Sequence, residues 1–220
     1  MRKRKNRTRW AMLGLSACLL CGCQAQTSDT SKASLSERSS QTVGSIAACA
    51  PDTSECEDDQ TTEMPSENER IEAYNQIVSN FTEISFDEAI GLFENGKSGL
   101  VYFGFSRCPW CEEVVPLLEK AAKEQGVEVL YVKTRDAMKE RLYTDEQRDQ
   151  IAPYIGEYLQ DNDEGVPTLY VPLVLAIQDG KVVMGHQGTV EDHDAHERLM
   201  TKDEQNQVQK TMNDLVSAMK

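Results

Sequence analysis

Residues Leu100-Val-Tyr-Phe-Gly-Phe-Ser-Arg-Cys-Pro-Trp-Cys111 decide the fold of this 220-residue chain. The stretch begins as an apolar run rich in β-branched and aromatic side chains, which predicts a buried strand. Gly104 and Ser106 interrupt the run, and the residues that follow have the periodicity of an amphipathic helix. Pro109 fits the first turn of that helix, where a backbone N–H is not needed. Two thiols therefore lie where a strand meets a helix, and the unpaired N–H groups and dipole of a helix start favour a thiolate.

The first part of the chain, residues 1–22, has the pattern of an export signal. A basic start precedes the apolar segment Trp10 to Leu20, which is short for a bilayer span. The sequence Leu20-Cys21-Gly22-Cys23 resembles the lipobox of bacterial lipoproteins and predicts lipidation of Cys23. Cys18, which follows a similar pattern, is the alternative, and a cleaved signal with incidental cysteines is a third interpretation. The preferred interpretation predicts a protein held by a lipid anchor on the extracytoplasmic face of the cell membrane.

Residues 23–66 form a segment rich in Ser, Thr and acidic residues, with no Phe, Tyr or Trp. Such a composition buries too little apolar surface to offset ordering entropy, so we predict a flexible tether. Cys49 and Cys56 lie within it, and they can form a local disulfide, exchange with the Cys108/Cys111 pair or be incidental. The net charge of −14, which becomes more negative without the basic first residues, argues against nucleic acid as a partner.

Residues 67–220 are predicted to form one domain. Capping boxes indicate helix starts, and the Asp179-Gly180 pair between two apolar runs indicates a hairpin. The expected order is helix, strand, helix, strand, helix, strand, helix, two hairpin strands and a final helix. This order predicts an α/β fold with a mixed central sheet covered by helices on both faces. The expected later elements are a helix over Asp145–Leu159 and strands over Val171–Ile177 and Lys181–His186.

This pattern resembles the thioredoxin superfamily. The motif Cys108-Pro-Trp-Cys111 lies between strand and helix, Pro116 follows it inside the helix, and Val171-Pro172 lies before the hairpin at the spacing of the family's cis-proline. Pro167 is a rival for the cis position, but a strand that began there would bury Pro172 in its middle. The resemblance implies a thioredoxin fold with an inserted helix before the cis-proline strand. The signal and tether are similar to those of exported bacterial thioredoxin-like lipoproteins, some of which are bacteriocin-transport accessory proteins.

The resemblance implies roles for individual residues. Cys108 would be the exposed nucleophile and Cys111 the buried thiol that resolves a mixed disulfide. Pro172, if cis, would present the backbone of Val171 to a substrate peptide. Trp110 is expected on an exposed loop as a contact surface, and Arg107 either supports the thiolate or is a solvated surface residue.

Two neighbouring features oppose an ordinary thioredoxin site. Glu112 and Glu113 compete for the positive end of the helix and disfavour a further negative charge. Where the family has a buried aspartate, this chain has Tyr102, which argues against rapid disulfide reduction of the thioredoxin kind.

No cofactor or metal is expected. The two cysteines lack the second pair of ligands that a structural zinc site requires. His193 and His196 lie among Glu191, Asp192 and Asp194, a set that favours a solvated loop over a weak metal site, and His186 is interpreted as structural.

The sequence thus predicts an exported, membrane-anchored thiol–disulfide oxidoreductase. Its expected partners are protein or small-molecule disulfides and dithiols, together with a redox partner that the sequence does not identify. The alternative is a binding or accessory module that uses the same fold with little redox activity.

Overall fold

A computed structural model describes residues 64–220. The signal, residues 23–63 of the tether and the cysteines within both segments lie outside the described residues. The helices are α1 (Glu67–Val78), α2 (Phe86–Glu94), α3 (Pro109–Gln125), α4 (Asp145–Ile155) and α5 (Lys202–Ser217). The strands are β1 (Thr82–Glu83), β2 (Gly99–Gly104), β3 (Val129–Lys133), β4 (Leu159–Asp161), β5 (Pro167–Leu169), β6 (Leu173–Gln178) and β7 (Lys181–Gln187).

Five of the strands form a mixed sheet in the order β1-β3-β2-β6-β7. The first three are parallel to one another, whereas β6 runs antiparallel to β2 and β7 runs antiparallel to β6. The central strand β2 is buried on both faces, as its continuous apolar sequence predicts. Helices α1, α3 and α5 contribute to the core on one face, and α2 and α4 to the core on the other. The predicted mixed sheet with helices on both faces is confirmed.

Local sequence signals fix most of the helix starts. The side chains of Ser66, Ser85, Thr144 and Thr201 each cap a helix, and each belongs to a complete capping box. The β6–β7 hairpin turns at Asp179 and Gly180, both with positive φ. A Cβ on Gly180 would lie 2.5 Å from the carbonyl oxygen of Phe93, so a larger residue does not fit at this turn.

The segment before β6 differs from the prediction. The expected helix over Asp145–Leu159 ends at Ile155, and a short 3₁₀ turn leads into β4. Strand β4 pairs with β5 in a small separate sheet that the sequence did not predict. The ring of Tyr158 lies against Gly185 of β7, which has no side chain to block it. This tertiary contact and the pairing of Leu159 with Leu169 replace the last turn of the expected helix.

Candidate functional site

Cys108 is the N-cap of α3, and Pro109 occupies its first turn. The Sγ of Cys108 accepts a hydrogen bond from the backbone N–H of Cys111 at 3.4 Å. The thiol thus takes the place of the Ser, Thr or Asp oxygen that usually caps a helix. A thiolate at this position is stabilised by the unpaired N–H groups of the first turn and by the helix dipole.

Both thiols are buried, and both are free cysteines in the structure. Cys108 is 5% exposed and Cys111 is fully buried. The expectation that Cys108 is an exposed nucleophile is therefore wrong for this conformation. The reason is tertiary: the thiol of Cys108 donates to the carbonyl oxygen of Val171 at 3.6 Å, and the side chains of Val171 and Trp110 pack against the same core.

The two thiols have opposite pKa shifts. Hydrogen bonding from the Cys111 thiol, assisted by the backbone N–H groups of Cys111 and Trp110, lowers the pKa of Cys108 against the opposing effects of burial and Glu112. Burial and the hydrogen bond to Cys108 raise the pKa of Cys111 well above its ordinary value. Cys108 therefore loses its proton at a lower pH than Cys111 does.

The charged neighbours of the site are already paired. Glu112 bonds to Nε of Arg70 at 2.8 Å, with burial raising the pKa of its carboxyl group. The guanidinium of Arg107 lies 2.8 Å from Glu67 and donates to the carbonyl oxygen of Ala137 at 3.2 Å. Arg107 therefore connects the loop before α3 to α1, and this pairing offsets its charge near Cys108.

The Val171–Pro172 peptide bond is cis, which confirms the assignment of the cis position to Pro172. Pro167 instead begins the short strand β5. Strand β6 starts at Leu173 rather than at the expected Val171, because Pro172 has no N–H to donate to a ladder. The Val171 carbonyl thus ends beside the Cys108 thiol.

A cavity of about 300 Å³ opens beside Trp110 and Val171, and neither thiol lines it. Trp110 and Val171, both expected in the site, line it together with Gln160, Tyr170, Gln187 and Gly188. Gln160 lies in β4, and Tyr170 follows β5, so the small sheet supplies one wall of the cavity. Sequence reasoning missed this wall, although the turn signal Asn162-Asp-Glu-Gly165 between the two strands was present.

Trp110 belongs to the first turn of α3 rather than to an exposed loop. Its indole Nε1 donates to the carbonyl oxygen of His193 at 3.4 Å, and its ring meets the ring of His196 edge to face at 4.8 Å. The loop between β7 and α5 therefore fixes the indole beside the thiols.

The expectation of a solvated loop is wrong for His193, whose side chain is fully buried. Its Nε2 donates to the carbonyl oxygen of Arg198 at 3.0 Å, and its Nδ1 lies 2.8 Å from the hydroxyl of Thr189. Oε1 of Glu113 lies 3.5 Å from the same ring. These polar groups take the place of solvent around the buried imidazole of His193. His196, in contrast, is exposed. Within residues 64–220, no cluster of His, Cys, Asp and Glu is arranged to hold a metal ion.

A cluster of three tyrosines lies in the core that also contains Cys111. Tyr102 of β2, Tyr74 of α1 and Tyr131 of β3 are all buried. The sequence singled out Tyr102 but gave no sign that Tyr74 and Tyr131 would join it. Each tyrosine comes from a different element, so only the tertiary structure brings the phenols together.

The sheet order, the helices on both faces, and the cis-proline facing the start of α3 define a thioredoxin-like fold. A solved structure to which the chain is similar is mitochondrial thioredoxin 3 from Saccharomyces cerevisiae in its oxidized form, with 16% sequence identity and a TM-score of 0.32. That similarity covers 53% of this chain and 87% of the yeast chain. No protein-family model matches the chain, and no curated protein matches it. A likeness this distant bears on neither activity nor partners.

Proposed function

We propose that the protein is a thiol–disulfide oxidoreductase that acts through Cys108 and Cys111. The observation that carries this proposal is the pair of free thiols at the start of α3, one with a lowered and one with a raised pKa. The Val171 backbone beside Cys108 supports it, because an extended peptide can pair there while its sulfur approaches the thiol. Protein or small-molecule disulfides and dithiols are the proposed substrates.

In the reductive direction, the Cys108 thiolate attacks one sulfur of a substrate disulfide, and the other substrate sulfur leaves as a thiolate that takes up a proton. The Cys111 sulfur then attacks Cys108, which releases the second substrate thiol and leaves an internal disulfide. The burial of Cys108 requires that a substrate displace its contact with the Val171 carbonyl. A redox partner must then restore the dithiol.

The proposal is tested with single-cysteine variants in a disulfide-turnover assay. Cys108→Ser should abolish turnover, whereas Cys111→Ser should accumulate mixed disulfides at Cys108, because the resolving thiol is missing. The reduction potential of the pair then gives the direction of electron flow: roughly −270 mV indicates a reductant, and roughly −120 mV an oxidant. A wild-type protein that neither reduces nor oxidises any dithiol substrate would refute the proposal.

The alternative function is a binding or accessory role with little redox activity. The near-complete burial of Cys108 and the adjoining cavity lined by Trp110 and Tyr170 favour it. Pull-down with a variant lacking both cysteines separates the two functions. Partners retained without thiols support binding, whereas partners trapped only by Cys111→Ser support redox chemistry.

We further propose that the domain is attached to the extracytoplasmic face of a bacterial cell membrane by a lipid on Cys23, with residues 23–66 as the tether. The basic start and the lipobox-like sequence support this proposal. Among residues 64–220, no helix is long and apolar enough to cross a membrane. One residue that carries two or three acyl chains is attached stably, whereas a single chain binds only marginally.

Metabolic labelling with palmitate tests the anchor. Cys23→Ala should abolish labelling, and Cys18→Ala should leave it intact. Labelling that depends on Cys18 would move the lipidated position, and unlabelled protein released into the medium would refute the lipid anchor. Neither outcome affects the proposed thiol chemistry.

A further inference from the structure

The buried tyrosine cluster, Tyr74, Tyr102 and Tyr131, forms a chain of hydroxyl groups. The Oη atoms of Tyr102 and Tyr74 are 3.1 Å apart, and Tyr74 donates to Oη of Tyr131 at 3.3 Å. The rings of Tyr102 and Tyr131 stack with centroids 5.6 Å apart. A buried hydroxyl without a hydrogen-bond partner is destabilising, so the three phenols stabilise one another.

The chain has a defined direction because each phenol carries one proton. The proton of Tyr74 goes to Tyr131, so Tyr102 must donate to Tyr74. In this arrangement, the oxygen of Tyr102 has lone pairs but no proton available for other neighbours. Either hydroxyl of the Tyr102–Tyr74 pair can donate, so turning the Tyr74 proton from Tyr131 towards Tyr102 frees the proton of Tyr102.

The phenol of Tyr102 and the thiol of Cys111 lie in the same buried core. Gly104, two residues along the same face of β2, provides the space: a Cβ there would collide with Oη of Tyr102. Cys111 is fully buried, so water does not solvate a thiolate at this position. Burial is the main cause of its raised pKa, and hydrogen bonding from the backbone of Phe105 and from the Tyr102 hydroxyl acts in the opposite direction.

We propose that Tyr102 donates a hydrogen bond to the Cys111 thiolate as it forms, and that Tyr74 allows this by turning its own proton from Tyr131 to Tyr102. This inference rests on the proposed function and assigns its second step. In that step, Cys111 forms a bond to the Cys108 sulfur and the bond between Cys108 and the substrate sulfur breaks. The leaving sulfur takes the electron pair, and the proton of Cys111 passes to it, so no other reactant is required.

The phenol cluster stabilises the thiolate without adding a charge. The ionisable groups around Cys111 are Cys108 on α3 and the three tyrosines on α1, β2 and β3. The nearest carboxylates act on the edges of this group, Glu112 on Cys108 and Glu83 on Tyr131. Burial raises the pKa of all three phenols, which therefore remain protonated and able to donate at neutral pH.

The test uses the reduced full-length protein in which every cysteine other than Cys108 and Cys111 is replaced by serine. An aromatic disulfide reagent, dithionitrobenzoate, then releases one coloured thiolate at each step. Attack by Cys108 gives the first phase, and attack by Cys111 on the resulting mixed disulfide gives the second. Tyr102→Phe should slow the second phase roughly 10- to 100-fold and move its pH midpoint upward, since a hydrogen bond to a charged group is lost. The first phase should keep its rate.

Tyr143→Phe is the matched control, because this buried phenol stacks on Phe86 on the other face of the sheet. It should leave both phases unchanged. Tyr74→Phe should give an effect between these two, and it provides a second test if Tyr102→Phe fails to fold. An unchanged second phase and pH midpoint in a folded Tyr102→Phe or Tyr74→Phe variant would overturn the assignment.

The same assay separates this inference from the proposed function. A protein that turns over no protein disulfide, but whose second phase depends on Tyr102, would lose the proposed function and keep the hydroxyl chain. A protein that turns over disulfides with no dependence on Tyr102 or Tyr74 would show the reverse.

Discussion

The two faces of the sheet are buried to the same depth but differ in chemistry. Tyr102 and Phe103 are neighbours on β2, and both are fully buried. Tyr102 points into the core that contains both thiols and the phenol cluster, whereas Phe103 packs against Phe86 in a core without a cysteine. Alternation along one strand thus separates two faces of the sheet. We call the face whose core contains Cys108 and Cys111 the reactive face, and the face whose core contains no cysteine the packing face with its packing core.

The largest expected effect is the difference in reactivity between the two thiols. Cys108 should be alkylated before Cys111, and its rate should titrate with a midpoint below that of the same cysteine in denaturant, since its folded-state pKa is lowered. By linkage, this ionisation stabilises the reduced protein above the unfolded-state pKa, and the stabilisation is lost as pH falls through the folded-state pKa. Mass spectrometry of partly alkylated protein measures both rates. Equal rates would remove the distinction between the thiols.

The next largest effect is a difference in the free energy of unfolding between variants of two neighbours on β2, Phe103 and Tyr102. Phe103→Ala should lower the free energy of unfolding by about 3–5 kcal/mol, because it leaves a cavity in the packing core. Tyr102→Phe keeps the ring and should cost only about 1 kcal/mol. Chemical denaturation measures both values. The comparison between the two faces fails if Tyr102→Phe is the more destabilising variant.

A smaller effect is expected at Gly104. Gly104→Ala forces the Tyr102 ring to move and should cost about 1–3 kcal/mol. It should also slow the second phase of the dithionitrobenzoate reaction. Gly156→Ala is the control: its φ of −58° suits alanine, and the added Cβ meets no atom within 4 Å. This control should be neutral or stabilising by about 0.4–1 kcal/mol. A neutral Gly104→Ala would show that Tyr102 is not held against the strand.

The smallest effect should be equal on the two faces. Ser85 caps α2 on the packing face, and Thr201 caps α5 on the reactive face, each through the backbone N–H of a glutamate three residues later. Replacement of either by alanine should cost about 1 kcal/mol, measured by thermal unfolding. Neither variant should change the thiol reactivity. A change in Thr201→Ala alone would mean that α5 contributes to the site beyond packing.

The sequence determined the parts that depend on near neighbours along the chain. Capping boxes, the apolar run of β2 and the Asp179-Gly180 turn each act within a few residues, so most of the elements and the mixed central sheet were predictable. The cysteine pair was visible for the same reason, since one turn of helix separates the two thiols. The assignment of the cis position to Pro172 came from the resemblance to the thioredoxin superfamily and is confirmed.

The tertiary structure decided what surrounds the thiols. Burial of Cys108 comes from Val171, far along the chain. The buried imidazole of His193 contacts Thr189 and Arg198 of its own loop and, from a distant part of the chain, Glu113 of α3. The β4–β5 sheet replaced the end of a helix because Tyr158 found space against Gly185. The phenol cluster forms because α1, β2 and β3 pack into the same core as α3. These features rest on contacts between residues far apart in sequence, which no local pattern encodes.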